Sequence, residues 1–305
     1  MKKNILVIGG TGLIGSEVVK KLSIDKKYKI FCFSHKKSDF CISFAGDVSN
    51  LPEIEFIYQN YKINVTLILF GQKSVEYSFN TTFYTKNDFL GLVNILNCCE
   101  KYSCNKVIYL SSSAIYKSAN SITEKHEIIL NSYYSFLKIM SERLLEWYRF
   151  SKNIDYVILR CFNVVGFSED CKTNDIISLL FKNSYLNVFG KNFATTDGTL
   201  VRDYVYVVDV ADAIEKAIEY KGSNIFNIGT GVGYSILQII KNFETITSRK
   251  INFTYLPRRS YDQDILVANI SKAKAELNWE PSYSLEKIIK TIYRKNFKKE
   301  EVCLV

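Results

Sequence analysis

No run in this chain is apolar for anything near the ~20 residues a bilayer-spanning helix needs, so we expect no membrane partner. The first strand-like run begins at Asn4, so a secretory signal is not expected, and the reading is cytoplasmic. Histidine is nearly missing. Only His35 and His126 occur, and no CxxC, so no metal site is expected. The eight cysteines, at 32, 41, 98, 99, 104, 161, 171 and 303, fall partly inside apolar runs and read as free buried thiols in a reducing compartment. Repeats and low-complexity tracts are also absent. The 40 basic residues outnumber the 31 acidic ones, but mostly as lysines spread along the chain, so no nucleic-acid partner is expected. Arg160, Arg202, Arg258 and Arg259 instead lie in motif-like stretches, which suits a small phosphorylated ligand.

What is present is an alternation. Apolar runs of strand length ("NILVIGG", "KIFCFS", "CISFAGD", "VTLILF", "KVIYL", "DYVILRCF") are interleaved with helical patterns at about 13–22, 52–60, 85–101 and 133–151. Near-continuous apolar strands between helices predict an α/β fold, a Rossmann-type doubly wound parallel sheet covered on both faces. The rhythm changes after Gly166. We expect a dinucleotide-binding domain over 1–166 and a smaller C-terminal α/β substrate domain over 167–305, with 200–225 packing back on the first.

"GGTGLIG" joins the first strand to the first helix. Gly9, Gly12 and Gly15, with Leu13 and Ile14 between the last two, give a turn tight enough for backbone to approach a pyrophosphate at a helix N-terminus. About 20 positions on, an NAD site usually carries an acid. This chain has Ser34, His35, Lys36 and Lys37, which suit the extra phosphate of NADP or simply a solvated basic loop. Asp47, followed by Val48, is a candidate partner for the adenine amino group. The cofactor reading is NAD, with NADP left open.

"NSYYSFLKIMSERLL" places Tyr134 and Lys138 four apart, on one helical face. Tyr133 is four from Leu137, which cannot perturb a phenol, so Tyr134 is the candidate reacting group. An ordinary tyrosine, with a pKa of ~10, is a poor base at neutral pH. A neighbouring ammonium and a positive nicotinamide are expected to stabilise its phenolate. Upstream, "VIYLSSSAIYK" ends a strand in serines suited to hydrogen-bond a reacting alkoxide.

The glycine loop, the strand-end serines and Tyr-x-x-x-Lys resemble the extended short-chain dehydrogenase/reductase family over nearly the whole chain. The resemblance places that family's catalytic hydroxyl at Ser112, beside Tyr134 and Lys138. It puts Lys117 where the family has glycine. Ser113 and Ala114 stand where dehydrating and decarboxylating members carry acids, which leaves hydride chemistry alone. Several segments look like the UDP-glucose 4-epimerase group. By that likeness Phe70, Gly71, Gln72 and Lys73 contact the cofactor. Ser113, Asn163, Phe189, Arg202, Arg259 and Asp262 contact a nucleotide-diphosphate sugar. Asp88 and Asp175 replace asparagines of the pattern, and Leu266 stands where the sugar's carbon-2 substituent is gated. The implied activity is a nucleotide-sugar 4-epimerase; an NADPH-dependent reductase of a 4-keto-6-deoxy sugar is the alternative, and a non-catalytic nucleotide-sensing scaffold a third. A homodimer is implied through helices 85–101 and 134–151, with Leu92, Ile95, Leu96, Leu144, Leu145 and Tyr148 as candidate contacts.

Overall fold

The computed structural model describes residues 2–71, 81–166 and 175–296. Its main sheet has seven strands, all parallel: β1 (Lys3–Ile8), β2 (Tyr28–Ser34), β3 (Ile42–Ala45), β4 (Val65–Ile68), β5 (Lys106–Ser112), β7 (Asp155–Cys161) and β11 (Asn224–Ile228). Their order is β11-β7-β5-β4-β1-β2-β3. The winding reverses between β1 and β4, so the crevice at their carboxyl ends is where such sheets take ligands.

The strands read as continuous apolar runs because each side of the sheet has its own core. On β1, Ile5 and Val7 face one cluster with Val18, Val19 and Leu22 of α1 (Leu13–Ile24) and Val210, Ile214 and Ala217 of α7 (Val207–Glu219). Leu6 and Ile8 face the other. That second cluster holds Ile54 and Ile57 of α2 (Leu51–Asn60), Leu92, Ile95 and Leu96 of α4 (Gly91–Lys101), and Leu145 and Tyr148 of α5 (Tyr133–Lys152). Period-two alternation produces this partition. Each such side chain contributes roughly 1.5–3 kcal/mol by leaving water.

Five of the six residues expected to meet a partner, Leu92, Ile95, Leu96, Leu145 and Tyr148, are therefore buried in their own chain, and Leu144 packs against them. The outward apolar residues of α5 are instead Phe136, Met140, Trp147 and Phe150, the last 91% exposed. The six described cysteines are free, five of them buried.

A second sheet runs β12 (Gly233–Ser235), β10 (Val201–Tyr206), β14 (Ile265–Ala268), β6 (Ala119–Ile122), with β8 (Asn163–Val165) also on β10. β9 (Tyr185–Phe189) pairs with β13 (Asn252–Leu256). Around these lie α6 (Ile176–Lys182), α8 (Ile236–Thr247) and α10 (Leu285–Asn296), which share a third core. The chain crosses position 166 in both directions. β6 joins the second sheet, whereas α7, β11 and then Ala273 and Leu277, in and just after α9 (Ser271–Glu276), serve the first core.

A short helix, α3 (Thr81–Tyr84), runs through a π-helical turn at Thr85–Leu90 into α4 without a break. Asp175, a departure from the sequence pattern, caps α6: its carboxylate accepts from the Ser178 amide at 3.0 Å.

Candidate active site

The glycine turn is forced by its own geometry. Gly9 has φ +85°, and a Cβ there would lie 2.9 Å from the Phe70 amide nitrogen. A Cβ on Gly15 would lie 2.1 Å from the Gly9 carbonyl oxygen. Both positions exclude any other residue. Gly12 caps α1 with no side chain and no acid follows in the first turn, so the amides there face an approaching anion without competition. Leu13 and Ile14 turn their side chains into the third core. Ser34, at the end of β2, accepts from the Thr11 amide at 3.3 Å and ties that strand to the turn.

His35 and Lys36 lie exposed just beyond. Asp47 is fixed by the Ser49 amide, 2.8 Å from Oδ1, which holds its carboxyl below the usual range; the charges of His35 and Lys86 act in the same direction. The Val48 carbonyl accepts from Asn94 at 3.1 Å, and a Cβ on Gly91 would meet the Val48 side chain at 2.6 Å. Phe70 and Gly71 follow β4 and reach the reacting centre; Gln72 and Lys73 lie outside the described residues.

The reacting centre is assembled from β5 and the first turns of α5. Ser132 and Ser135 form a capping box, with the Ser132 hydroxyl accepting from the Ser135 amide at 3.1 Å. This fixes Tyr134 in the first turn, where the helix dipole favours negative charge. Ser112 stands near enough to the Tyr134 phenol to favour its ionised form. One turn on, Lys138 is buried and donates from Nζ to the Leu110 carbonyl at 2.8 Å; its ammonium stands 5.8 Å from the Tyr134 ring centre and 4.8 Å from that of Tyr109. Ser112 also caps the short turn Ser113–Ile115, accepting from the Ala114 amide at 3.2 Å, and Ser113 is buried beneath it.

The sequence leads one to expect an acidified phenol. In the chain alone the net direction is opposite: burial pushes the Tyr134 phenol up, and the Lys138 ammonium and the Ser112 side chain only partly counter it. Tyr109 is a lining residue that the sequence does not reveal, because a tyrosine inside an apolar strand reads as core.

A second group of predicted residues meets at the other end. Arg202 on β10 is buried, and its side chain donates from Nη1 to the Val201 carbonyl at 2.8 Å. No carboxylate among the described residues bonds it, and burial lowers its pKa. Arg259 grips Asp262 in two-pronged fashion, Nε to Oδ2 at 2.8 Å and Nη2 to Oδ1 at 3.2 Å, and stacks 4.5 Å over the Phe189 ring. Asp262, Asp264 and Arg259 are the charges that Arg202 feels. Asn163 is exposed at the start of β8, opposite Tyr204.

Leu266, which pairs in register with Arg202, and Arg160 and Arg258 are each packed or paired within the chain. Leu266 is buried against Ile115, Tyr116 and Phe162. Arg160, read as facing a phosphate, is locked in a buried ion pair with Glu142 at 2.6 Å. Arg258 pairs with Asp264 at 3.0 Å and stacks on Phe193.

Residues 5–229 match the NAD dependent epimerase/dehydratase family. The chain belongs to that family. It is similar to the UDP-glucose 4-epimerase of Lactobacillus helveticus, 29% identical over 95% of this chain and 96% of that one. Among solved structures, the UDP-glucose 4-epimerase of Bifidobacterium longum in complex with NAD+ and UDP superposes with a TM-score of 0.88. It is 26% identical, with 96% of this chain and 99% of that one covered. The Thermotoga maritima UDP-glucose 4-epimerase with UDP-glucose gives 0.87, at 29% identity, over 98% and 99% of the two chains.

As a family member the protein is an NAD-dependent enzyme of the extended short-chain dehydrogenase/reductase fold, and epimerase chemistry is its activity. The glycine turn fits the dinucleotide: a Cβ at 9 or 15 would strike the chain's own backbone, whereas one on Gly12, at the N-terminus of α1, would have only the Gly9 carbonyl oxygen nearby among the described residues, at 3.5 Å. Among the described residues no helix is long and apolar enough to cross a membrane.

Proposed function

We propose that the protein is a nucleotide-sugar 4-epimerase acting on UDP-glucose and UDP-galactose, or on their N-acetylhexosamine counterparts. The observation that carries this reading is the Ser112–Tyr134–Lys138 arrangement beside Ser113 and Ala114, which can neither donate nor accept a proton as an elimination requires. The names of the similar epimerases support the substrate class.

In this reading Tyr134, as phenolate, takes the proton of the sugar's carbon-4 hydroxyl, and Ser112 hydrogen-bonds the same oxygen. NAD, when bound, supplies the hydride acceptor that makes the oxidation reversible, and its positive ring adds the charge that the buried phenol lacks in the chain alone. Gly9, Gly12 and Gly15 hold the pyrophosphate, Asp47 the adenine, and Lys138 the nicotinamide-side ribose. Arg202 and Arg259 hold the sugar diphosphate through the turnover, since guanidinium groups match phosphate oxygens two at a time. Phe189 lies against the base, Asp262 on the uridine ribose, and Asn163 on the diphosphate. The first 166 residues thus serve the cofactor and most of the remainder the sugar nucleotide. A homodimer through the outward face of α5 and a cytoplasmic setting, in keeping with the free thiols, complete the proposal.

The test is incubation with UDP-glucose and with UDP-N-acetylglucosamine, with products separated and free cofactor followed. Epimers without net consumption of cofactor are expected. One NADPH oxidised per turnover of a 4-keto sugar would make the enzyme a reductase. Tyr134→Phe is expected to lower turnover by about 10²–10⁴-fold while UDP binding is kept. Turnover of the native enzyme should rise with pH on its acid side, because the phenolate is the working form.

A further inference from the structure

The reacting pair has a third charged neighbour. Asp88 lies on the π-helical turn between α3 and α4, a distortion that re-aims side chains and is frequent at functional sites. Gly91, the residue that follows the turn, is packed close to the segments after β3 and β4: a Cβ on it would be 2.6 Å from the Val48 side chain and 3.5 Å from the Phe70 ring. Asp88 then lines one small enclosed cavity together with Tyr134, Lys138, Tyr109 and Gly71. A Cβ on Gly71 would stand 3.3 Å from the Lys138 ammonium nitrogen and 3.7 Å from Asp88 Oδ2, so the two opposite charges are within about 7 Å of each other. Gly71 has φ +134° and no side chain to separate them.

We propose that Asp88 is a positioning residue of the reacting centre: its carboxylate draws on the same Lys138 ammonium that supports the Tyr134 phenolate, and so sets the acid limit of activity. Its charge opposes ionisation of both Tyr134 and Tyr109, against the favourable action of Lys138. The other titratable groups facing the centre do not compete in the working range. Tyr109 on β5 is pushed up by burial, and the Cys161 thiol on β7 is pushed up to about 12. Glu142, one turn beyond Lys138, is committed to Arg160. An asparagine at 88 has the same shape without the charge.

The inference rests on Tyr134 being the proton acceptor. In Asp88→Asn, the acid limb of kcat/KM against pH is expected to move down by about one pH unit, because a negative charge near the phenolate has been removed. Asp88→Glu keeps the charge and should keep the limb within a few tenths of a unit. A limb that stays in place in Asp88→Asn overturns the proposal, as does one that moves equally in Asp88→Glu.

A second readout needs no turnover. Phenolate absorbance is titrated in the NAD-loaded protein, and the ionisation missing from Tyr134→Phe is followed in Asp88→Asn. The same downward shift supports the proposal and an unmoved ionisation overturns it, even if no UDP-sugar is converted and the substrate reading fails. Asp88→Ser replaces Asp88→Asn in both measurements if the latter does not fold.

Discussion

Two arginines of this chain are buried almost equally, 3% exposed at Arg160 and 8% at Arg202, and they are partnered in opposite ways. Burial works against both charges. Arg160 recovers more than it loses: Nε and Nη2 meet the two oxygens of Glu142 at 3.0 and 2.6 Å, and Nη1 meets the Tyr116 hydroxyl at 2.7 Å and the Glu124 carbonyl at 2.9 Å. Its pKa ends above the ordinary value. Arg202 has a backbone carbonyl, no bonded carboxylate among the described residues, and a pKa below the ordinary value. The first is a closed structural network joining β5, β7 and α5. The second is a desolvated cation, which we propose is kept for the diphosphate of the substrate. Pairing, rather than burial, separates the two charges.

The comparison breaks most visibly at Arg160. Arg160→Met leaves Glu142 buried with Ser111 as its remaining partner, and a loss of about 3–5 kcal/mol is expected in urea unfolding. Replacing both partners, Arg160→Met with Glu142→Met, should restore most of that loss, because no buried charge is then left unpaired. A double variant no more stable than the single one would mean the site needs a polar network. Either variant that folds should still be stabilised by UDP.

Arg202→Met should behave in the reverse way. Its stability is expected to stay within about 1 kcal/mol of the parent, since a poorly compensated charge is lost. Its affinity for UDP should fall about 10–100-fold, the worth of charge-assisted hydrogen bonds to phosphate. Thermal shift with UDP reads both quantities together. Ligand stabilisation that persists in Arg202→Met and vanishes in the Arg160–Glu142 double variant would exchange the two roles.

The sequence carried the fold because the signals it rests on are local. Glycine at 9, 12 and 15, strands that are near-continuous apolar runs, and Tyr134 one turn from Lys138 are all visible without knowing what packs where. What it could not carry depends on partners far along the chain. Arg160 looks like a phosphate ligand until Glu142 is seen 18 residues away with two oxygens facing it. Ala119–Ile122 falls inside the expected first domain, yet it pairs with β14, nearly 150 residues on. Asp175 reads only as a departure from the family's asparagine until it is seen capping α6. The direction of the Tyr134 shift was out of reach for the same reason. Lys138 is visible at helical spacing, but the burial that outweighs it is a property of the assembled site.

The smallest effect is expected at Asp262, and it sharpens the comparison at the ligand end. Asp262 is proposed on the uridine ribose, yet it also holds Arg259 by two hydrogen bonds three residues away, a pair in which the arginine is 29% exposed. Partly exposed pairs of this kind are worth about 0–1 kcal/mol, so Asp262→Asn should lower stability by less than about 1 kcal/mol. The Asp262 carbonyl still accepts from Arg258, which keeps the turn. Binding then separates the two duties. Loss of a ribose contact weakens uridine and UDP by the same factor, whereas loss of the Arg259 clamp weakens UDP alone, because only UDP carries the phosphates that Arg259 is proposed to meet. We expect both ligands to weaken, UDP by a few-fold more than uridine. Equal factors would leave Arg202 as the one arginine on the diphosphate, and an unchanged uridine affinity would take Asp262 off the ribose.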